Sequence, residues 1–174
     1  MLEYSIIFIA GVHGAGKGFV SSYLSDKLGF PSYSASSLIR AEKKSVVDVN
    51  KRVVGADENQ DYLLSALAKL RPSSDSILLD GHFCLQGSNQ IIDVPFSVFQ
   101  AMKPKALVVL HGEPDQIVKR LLDRDGGALA AFEIKDLQEA EVERARMVST
   151  LLRAPLLIEE AYRLGDITSW VEGV

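Results

Sequence analysis

One short segment, Gly11-Val12-His13-Gly14-Ala15-Gly16-Lys17, limits the possible folds of this chain more than any other, because of what stands on either side of it. Before it, Tyr4-Ser5-Ile6-Ile7-Phe8-Ile9-Ala10 is short, β-branched and aromatic, the pattern of a strand buried on both faces. After it, Val20, Leu24 and Leu28 recur every four residues and Gly29 supplies a stop, which predicts a helix. A strand that runs into a glycine turn and directly out into a helix is the opening of a βαβ unit. The rest of the chain should therefore alternate strands and helices around a parallel sheet.

The alternation continues. A short strand is expected at Ser32 to Ser34 after Pro31, then the capped start of a helix at Ser36-Ser37-Leu38-Ile39-Arg40. Val46, Val47, Val49, Val53 and Val54 fit no single period, so the stretch to Ala56 reads as irregular. Leu63, Leu64, Leu67 and Leu70 then form one helical stripe from Asp57 to before Pro72. Ile77-Leu78-Leu79-Asp80, Ala106-Leu107-Val108-Val109-Leu110 and Pro155-Leu156-Leu157-Ile158 read as three more strands. Phe83-Cys84-Leu85 and Ile91-Ile92-Asp93-Val94 flank Gln86-Gly87-Ser88-Asn89 as a β-hairpin. Helices are expected from Glu113-Pro114 to about Arg124 and from Glu133 to about Leu152, with Asp125-Gly126-Gly127 breaking between them. The expected fold is α/β, three layers, with a five-stranded parallel sheet flanked by helices, and ligands in such sheets bind at the carboxyl ends of the strands.

With 174 residues the chain is expected to form one domain. Its net charge of −4, from 19 basic and 23 acidic residues, gives no positive field for a polyanion, so nucleic acid is not an expected partner. Cys84 is the single cysteine, with no metal-ligand spacing around it, and the run Ile6 to Ala10 is too short for a membrane span. A cytoplasmic protein without a membrane partner is the expectation from these features.

Gly11 to Lys17 satisfies Gly-x-x-x-x-Gly-Lys, the Walker A pattern, in the strand-to-helix setting that the pattern requires. Its glycines let backbone N–H groups turn inward around phosphate oxygens, the following helix adds its positive end, and Lys17 spans the outer phosphates. The ligand expected from these features is ATP with Mg²⁺. Gly18 follows the lysine where Ser or Thr usually binds Mg²⁺ directly, so no direct metal ligand is expected. Asp80, ending an apolar strand, would hold metal-bound water beside the loop. Arg120 and Arg124, four residues apart on one helix face, could bracket a transferring phosphoryl group. Arg144 and Arg146 read more readily as surface arginines. His13, His82 and His111 each follow a strand and should gather at the ligand edge, as pocket lining rather than as a metal site.

These residues resemble a family, the small P-loop nucleoside and nucleotide kinases, and within it the adenylate kinases most of all. Gly11 to Gly18 looks like the family's Gly-x-Pro-Gly-x-Gly-Lys-Gly, with His13 in place of proline. Tyr33-Ser34-Ala35-Ser36-Ser37-Leu38-Ile39-Arg40 is similar to Ile-Ser-Thr-Gly-Asp-Met-Leu-Arg, and Leu79-Asp80-Gly81-His82 to Leu-Asp-Gly-Phe. Arg120 to Arg124 resembles the arginine pair that begins the lid. The resemblance implies a P-loop NTPase fold with a hairpin insertion and a short lid around 125–138, hinged at Gly126-Gly127. It implies a nucleotide site at Gly11, Val12, His13, Gly14, Ala15, Gly16, Lys17, Gly18 and Phe19. It also implies catalytic roles for Lys17, Asp80, Arg120 and Arg124, and acceptor contacts from Ser36, Arg40 and His82. The arginine that the family carries shortly after Asp-Gly is missing, and Phe19 replaces a common Thr.

The expected activity is transfer of the γ-phosphoryl group of MgATP to a small acceptor, a nucleotide or nucleoside by resemblance. Alternatives are a nucleotide-binding ATPase or regulatory module, favoured by Gly18, and a kinase for another metabolite. Ser45 to Gln60, with Lys51, Arg52, Asp57, Glu58 and Asn59, is expected to line the acceptor site.

Overall fold

The structure, a computed structural model, describes residues 2–47, 58–87, 90–125 and 130–174. In chain order the elements are β1 (Ser5–Ala10), α1 (Lys17–Leu28), β2 (Ser32–Ser34), α2 (Ala35–Val47), α3 (Glu58–Lys69) and β3 (Ser76–Asp80). There follow β4 (Cys84–Gln86), β5 (Ile91–Asp93), α4 (Phe96–Met102), β6 (Ala106–His111) and α5 (Pro114–Asp125). The chain ends with α6 (Ala131–Leu152), β7 (Leu156–Glu160) and α7 (Leu164–Glu172).

The five-stranded sheet has the order β2-β3-β1-β6-β7, with every pair parallel. Ile6 to Ala10, Ile77 to Leu79 and Ala106 to Leu110 are all buried, because helices cover both faces of the three central strands. This explains why these strands read as unbroken apolar runs rather than as alternating ones. α1 and α7 touch each other and the sheet, while α3, α4 and α6 form a connected layer. Phe8, Phe83 and Phe99 interlock between them, with Phe8 edge-on to the other two at 5.2 and 5.6 Å and Phe83 stacked on Phe99 at 4.9 Å. This cluster fixes the chain after β3 against β1 and α4, and thereby positions one wall of the site.

The expected hairpin forms, with β4 and β5 antiparallel and Leu85 opposite Ile92. One reading changes and two helices are added. Helix α2 runs through Val47, so the valines at 46 and 47 are helical rather than irregular, and the rest of the irregular stretch, 48–57, lies outside the described residues. Helix α4 was not foreseen, because its seven residues are too few to display a period, although Val98, Phe99 and Met102 are its buried side. The tail forms α7, whose Ile167 and Val171 are buried in the same core. Among the described residues no helix is long and apolar enough to cross a membrane.

Candidate functional site

The loop between β1 and α1 has the backbone that its glycines permit. Gly11, Gly14 and Gly16 have φ of 142°, 82° and 98°, in the region that side chains disfavour. A Cβ on Gly11 would lie 2.4 Å from the Leu110 carbonyl oxygen, and one on Gly16 would lie 2.7 Å from Ala161 Cβ. Both glycines are therefore required by close approach as well as by backbone angle. Inside the loop the Ala15 N–H donates to the Val12 carbonyl at 3.1 Å, and Gly16 caps α1. The first-turn N–H groups of α1 have no partners further back in their own helix, and they face the site with the positive end of the helix dipole.

Lys17 is buried, and its amino group donates to the carbonyls of Gly11 at 2.7 Å and Val12 at 3.2 Å. It therefore stays within the loop rather than extending into solvent. Asp80 is the last residue of β3 and pairs in register with Ile9, one residue before the end of β1, which sets its carboxyl beside the loop. Burial raises the pKa of Asp80, while the charges of Lys17 and His82 oppose that rise. Arg120, in α5, reaches across to donate to the Gly14 carbonyl at 3.0 Å.

One cavity of about 930 Å³ collects most of the residues named from the sequence. At the loop end it is lined by His13, Gly14, Gly16, Lys17, Gly18, Phe19 and Arg120. Asp80 and His82 sit at the middle, and Ser36 and Arg40 of α2 line one side. Gly11, Val12 and Ala15 are buried beneath the loop. The far end is apolar, with Leu63, Val98, Phe99 and Met102, and Asn59 and Gln60 at its edge. Of the stretch expected to line the acceptor site, 48–57 lies outside the described residues, as do the Arg124 side chain and the hinge Gly126-Gly127.

Three further findings qualify the sequence reading. His13 and His82 come together, ring centroids 4.8 Å apart, whereas His111 pairs with Glu160 at the β6–β7 register and does not line this cavity. No group of three or more His, Cys, Asp or Glu side chains that could hold a metal ion occurs among the described residues. Arg144 points to the hairpin, where it donates to the Val94 carbonyl at 2.8 Å and pairs with Asp93 at 3.4 Å. It is thus a hairpin tie with its side chain 12% exposed, neither a phosphate contact nor a surface arginine.

The sequence reading missed Glu141. Midway along α6 and 1% exposed, it holds His82 Nδ1 at 3.0 Å with one oxygen and accepts the Phe83 N–H at 2.8 Å with the other. An acid set on the apolar stripe of Ile134, Leu137, Ala145 and Val148, in a helix with other acids on its exposed side, is the only trace it leaves, since its partners lie 59 and 58 residues away.

These residues fit a polyanion such as a nucleotide triphosphate: a cradle that Cβ atoms would fill, a buried ammonium, a helix N-terminus and a guanidinium on the rim. They fit Mg²⁺ only through water, because Asp80 is the carboxylate at hand and Gly18 has no hydroxyl.

Loop, sheet order and cavity define a P-loop fold of the small nucleotide and nucleoside kinase type. The chain belongs to the AAA domain family, whose family model matches residues 10–138. It is similar to adenylate kinase 1 of Drosophila melanogaster, 29% identical over 158 residues, which are 84% of this chain and 65% of that protein. It is also similar to UMP-CMP kinase 3 of Arabidopsis thaliana, 26% identical over 132 residues, 71% of this chain and 62% of that one. The chain thus spans just under two thirds of these relatives. In fold it resembles shikimate kinase from Acinetobacter baumannii, solved in complex with shikimate, with a TM-score of 0.61. That likeness covers 99% of this chain and 95% of the other at 18% identity.

Proposed function

We propose that the protein is a phosphotransferase that moves the γ-phosphoryl group of MgATP to a small acceptor of nucleotide or nucleoside type. The observation that carries this reading is the lining of this cavity, which joins the loop residues to Asp80 and His82 and to an apolar set including Leu63, Val98, Phe99 and Met102. At about 930 Å³ it stands at the top of the range of about 300–1,000 Å³ usual for small-molecule sites, so phosphates and an acceptor with an apolar ring both find room. Similarity to adenylate and UMP-CMP kinases supports the nucleotide class.

In this reading the amides of Gly14 to Gly18 orient the phosphates and Lys17 leaves its loop carbonyls to neutralise the transferred group. Arg120, already on the Gly14 carbonyl, adds charge at the rim, with Arg124 one turn further on, and Phe19 covers the nucleotide side. Arg40 and Ser36 hold the acceptor. Asp80 would hold the water shell of Mg²⁺, which would supply charge neutralisation for the phosphates. The chain works as a single domain, and the segment around 125–138 acts as a short lid.

The test is Lys17→Ala, assayed with labelled MgATP against nucleosides and nucleoside monophosphates. Transfer is lost while the thermal transition remains; full activity in that variant ends the proposal. Gly18 favours a second reading, slow hydrolysis in a regulatory module, because it provides no hydroxyl for the metal. Free phosphate as sole product would support that one.

A further inference from the structure

The Glu141–His82 pair does more than the fold requires. To accept the Phe83 N–H from the buried face of α6, a neutral amide would suffice, and burying a carboxylate there costs several kcal/mol on general grounds unless it is well paired. Instead a carboxylate 1% exposed is set on the imidazole that follows the Asp80 strand. A carboxylate only accepts, so His82 must donate through Nδ1–H, and the tautomer is thereby fixed. Nε2, with its lone pair, is the nitrogen left for the cavity that His82 lines.

The neighbours of that lone pair matter. Asp80, whose charge couples to both Lys17 and His82, is a second hydrogen-bond acceptor in the middle of the cavity. His13 packs against the ring at 4.8 Å, and Lys17 lies on the loop side. The position next to the transferred group thus offers two acceptors and, behind one of them, a buried anion. A nucleophile carrying a proton to donate suits this arrangement, whereas an anionic phosphate oxygen would face Asp80 and a carboxylate-backed ring. The cationic side chains on the acceptor side, Arg40 and Lys43, come from α2 and suit an anionic group elsewhere on the same acceptor.

We propose that the attacking atom is a hydroxyl oxygen, that His82 Nε2 takes its proton, and that Glu141 is the positioning residue that makes His82 able to do so. This rests on the phosphotransfer reading and narrows it. The hydroxyl oxygen forms a bond to the γ-phosphorus of ATP, the bond from that phosphorus to the bridging oxygen breaks, and ADP leaves with the bonding pair. The hydroxyl proton passes to Nε2, the imidazolium is held by the Glu141 carboxylate, and the proton is then released to solvent. The substrate class is an alcohol, such as a nucleoside or polyol, rather than the phosphate of a monophosphate.

The experiment uses the full chain with [γ-³²P]ATP and Mg²⁺ against four ribonucleosides and, separately, their 5′-monophosphates, resolving products labelled on a sugar hydroxyl from diphosphates. Label on a hydroxyl is expected. His82→Gln should lower kcat by about 10²–10⁴-fold, with KM for ATP within about two-fold of the parent. Glu141→Gln, which keeps an acceptor for the Phe83 N–H, should lower kcat by about 10-fold or more, again with little change in KM. The ¹⁵N shifts of His82 should report Nδ1–H in the parent and lose that bias in Glu141→Gln, a readout that a purely structural role would not move. Diphosphates as the labelled product, or His82→Gln within three-fold of the parent, overturn the proposal and leave phosphotransfer standing. Inorganic phosphate alone overturns both.

Discussion

The phosphate loop makes a quantitative demand at Gly16 and a contrasting one at Gly18, two residues along the same chain. Alanine at 16 must adopt φ near +98°, a conformation that costs a residue with a side chain about 1–2 kcal/mol. Its Cβ would also stand 2.7 Å from Ala161 Cβ, whereas carbon atoms pack best at about 3.5–4.0 Å. Either the start of α1 or the turn after β7 must move by about an ångström, an overpacking cost of about 1–3 kcal/mol. Together these give about 2–5 kcal/mol, which for a domain of this size lowers Tm by about 4–20 °C. At Gly18 a Cβ would meet nothing within 4 Å and φ is not positive, so alanine there should add about 0.4–1 kcal/mol, by restricting the unfolded chain and favouring the helix.

Both variants are read by thermal denaturation with and without MgATP. The parent and Gly18→Ala should gain stability with ligand in proportion to the logarithm of its concentration, while Gly16→Ala loses most of that gain because the cradle itself has moved. If Gly16→Ala melts within a degree of the parent, or if Gly18→Ala proves the more damaging, the account of the loop as a close-packed cradle on Ala161 is wrong.

Three other outcomes can be checked. Burial raises the folded-state pKa of Asp80 above its ordinary 3.8, so the ionised side chain works against the fold, and stability from this group falls as pH rises from 3.8 through the raised value. Asp80→Asn should therefore raise Tm at pH 7.5, with the gain shrinking as pH is lowered towards 3.8, while phosphotransfer is lost; an unchanged gain across that range would refute the assignment. The Cys84 thiol is pushed up to about 12, chiefly by burial and then by its bond to Asp93, so it should react with a maleimide at neutral pH only as fast as the protein opens. Labelling at the rate of a free thiol would contradict this. Arg144→Ala removes the tie to Val94 and Asp93 and should cost about 1.5–3 kcal/mol, with faster amide exchange confined to 83–94; exchange unchanged there would show that the hairpin is held by other contacts.

The sheet and the loop were readable in the sequence because both are local. Ile6 to Ala10 and Ala106 to Leu110 declare buried strands by their own composition, and the loop is a contiguous string whose glycines answer backbone angles within seven residues. Helix α4 was unreadable for a related reason, since seven residues span barely two turns and give periodicity nothing to repeat. The boundary of α2 failed because β-branched valines weaken a helical reading, and here the packing of α2 on α3 outweighs that preference. Glu42 shows part of that packing, buried against Ser65 at 2.7 Å and against Lys69.

The acceptor side differs in kind from the donor side. Triphosphate recognition needs one loop, one lysine and one helix end, all within a dozen residues. In the proposed reading, acceptor recognition is assembled from α2, the end of β3, the edge of α3 and the middle of α6, joined only by folding. His82 alone is an ambiguous residue; with Glu141 behind it, it becomes an oriented hydrogen-bond acceptor, and the two are 59 residues apart. A change at Glu141 should thus slow the proposed transfer without touching the loop that holds the phosphates. This is the physical reason that one phosphate loop can serve many acceptors, and that in this chain the acceptor question turns on a buried acid in α6 rather than on Gly11 to Lys17.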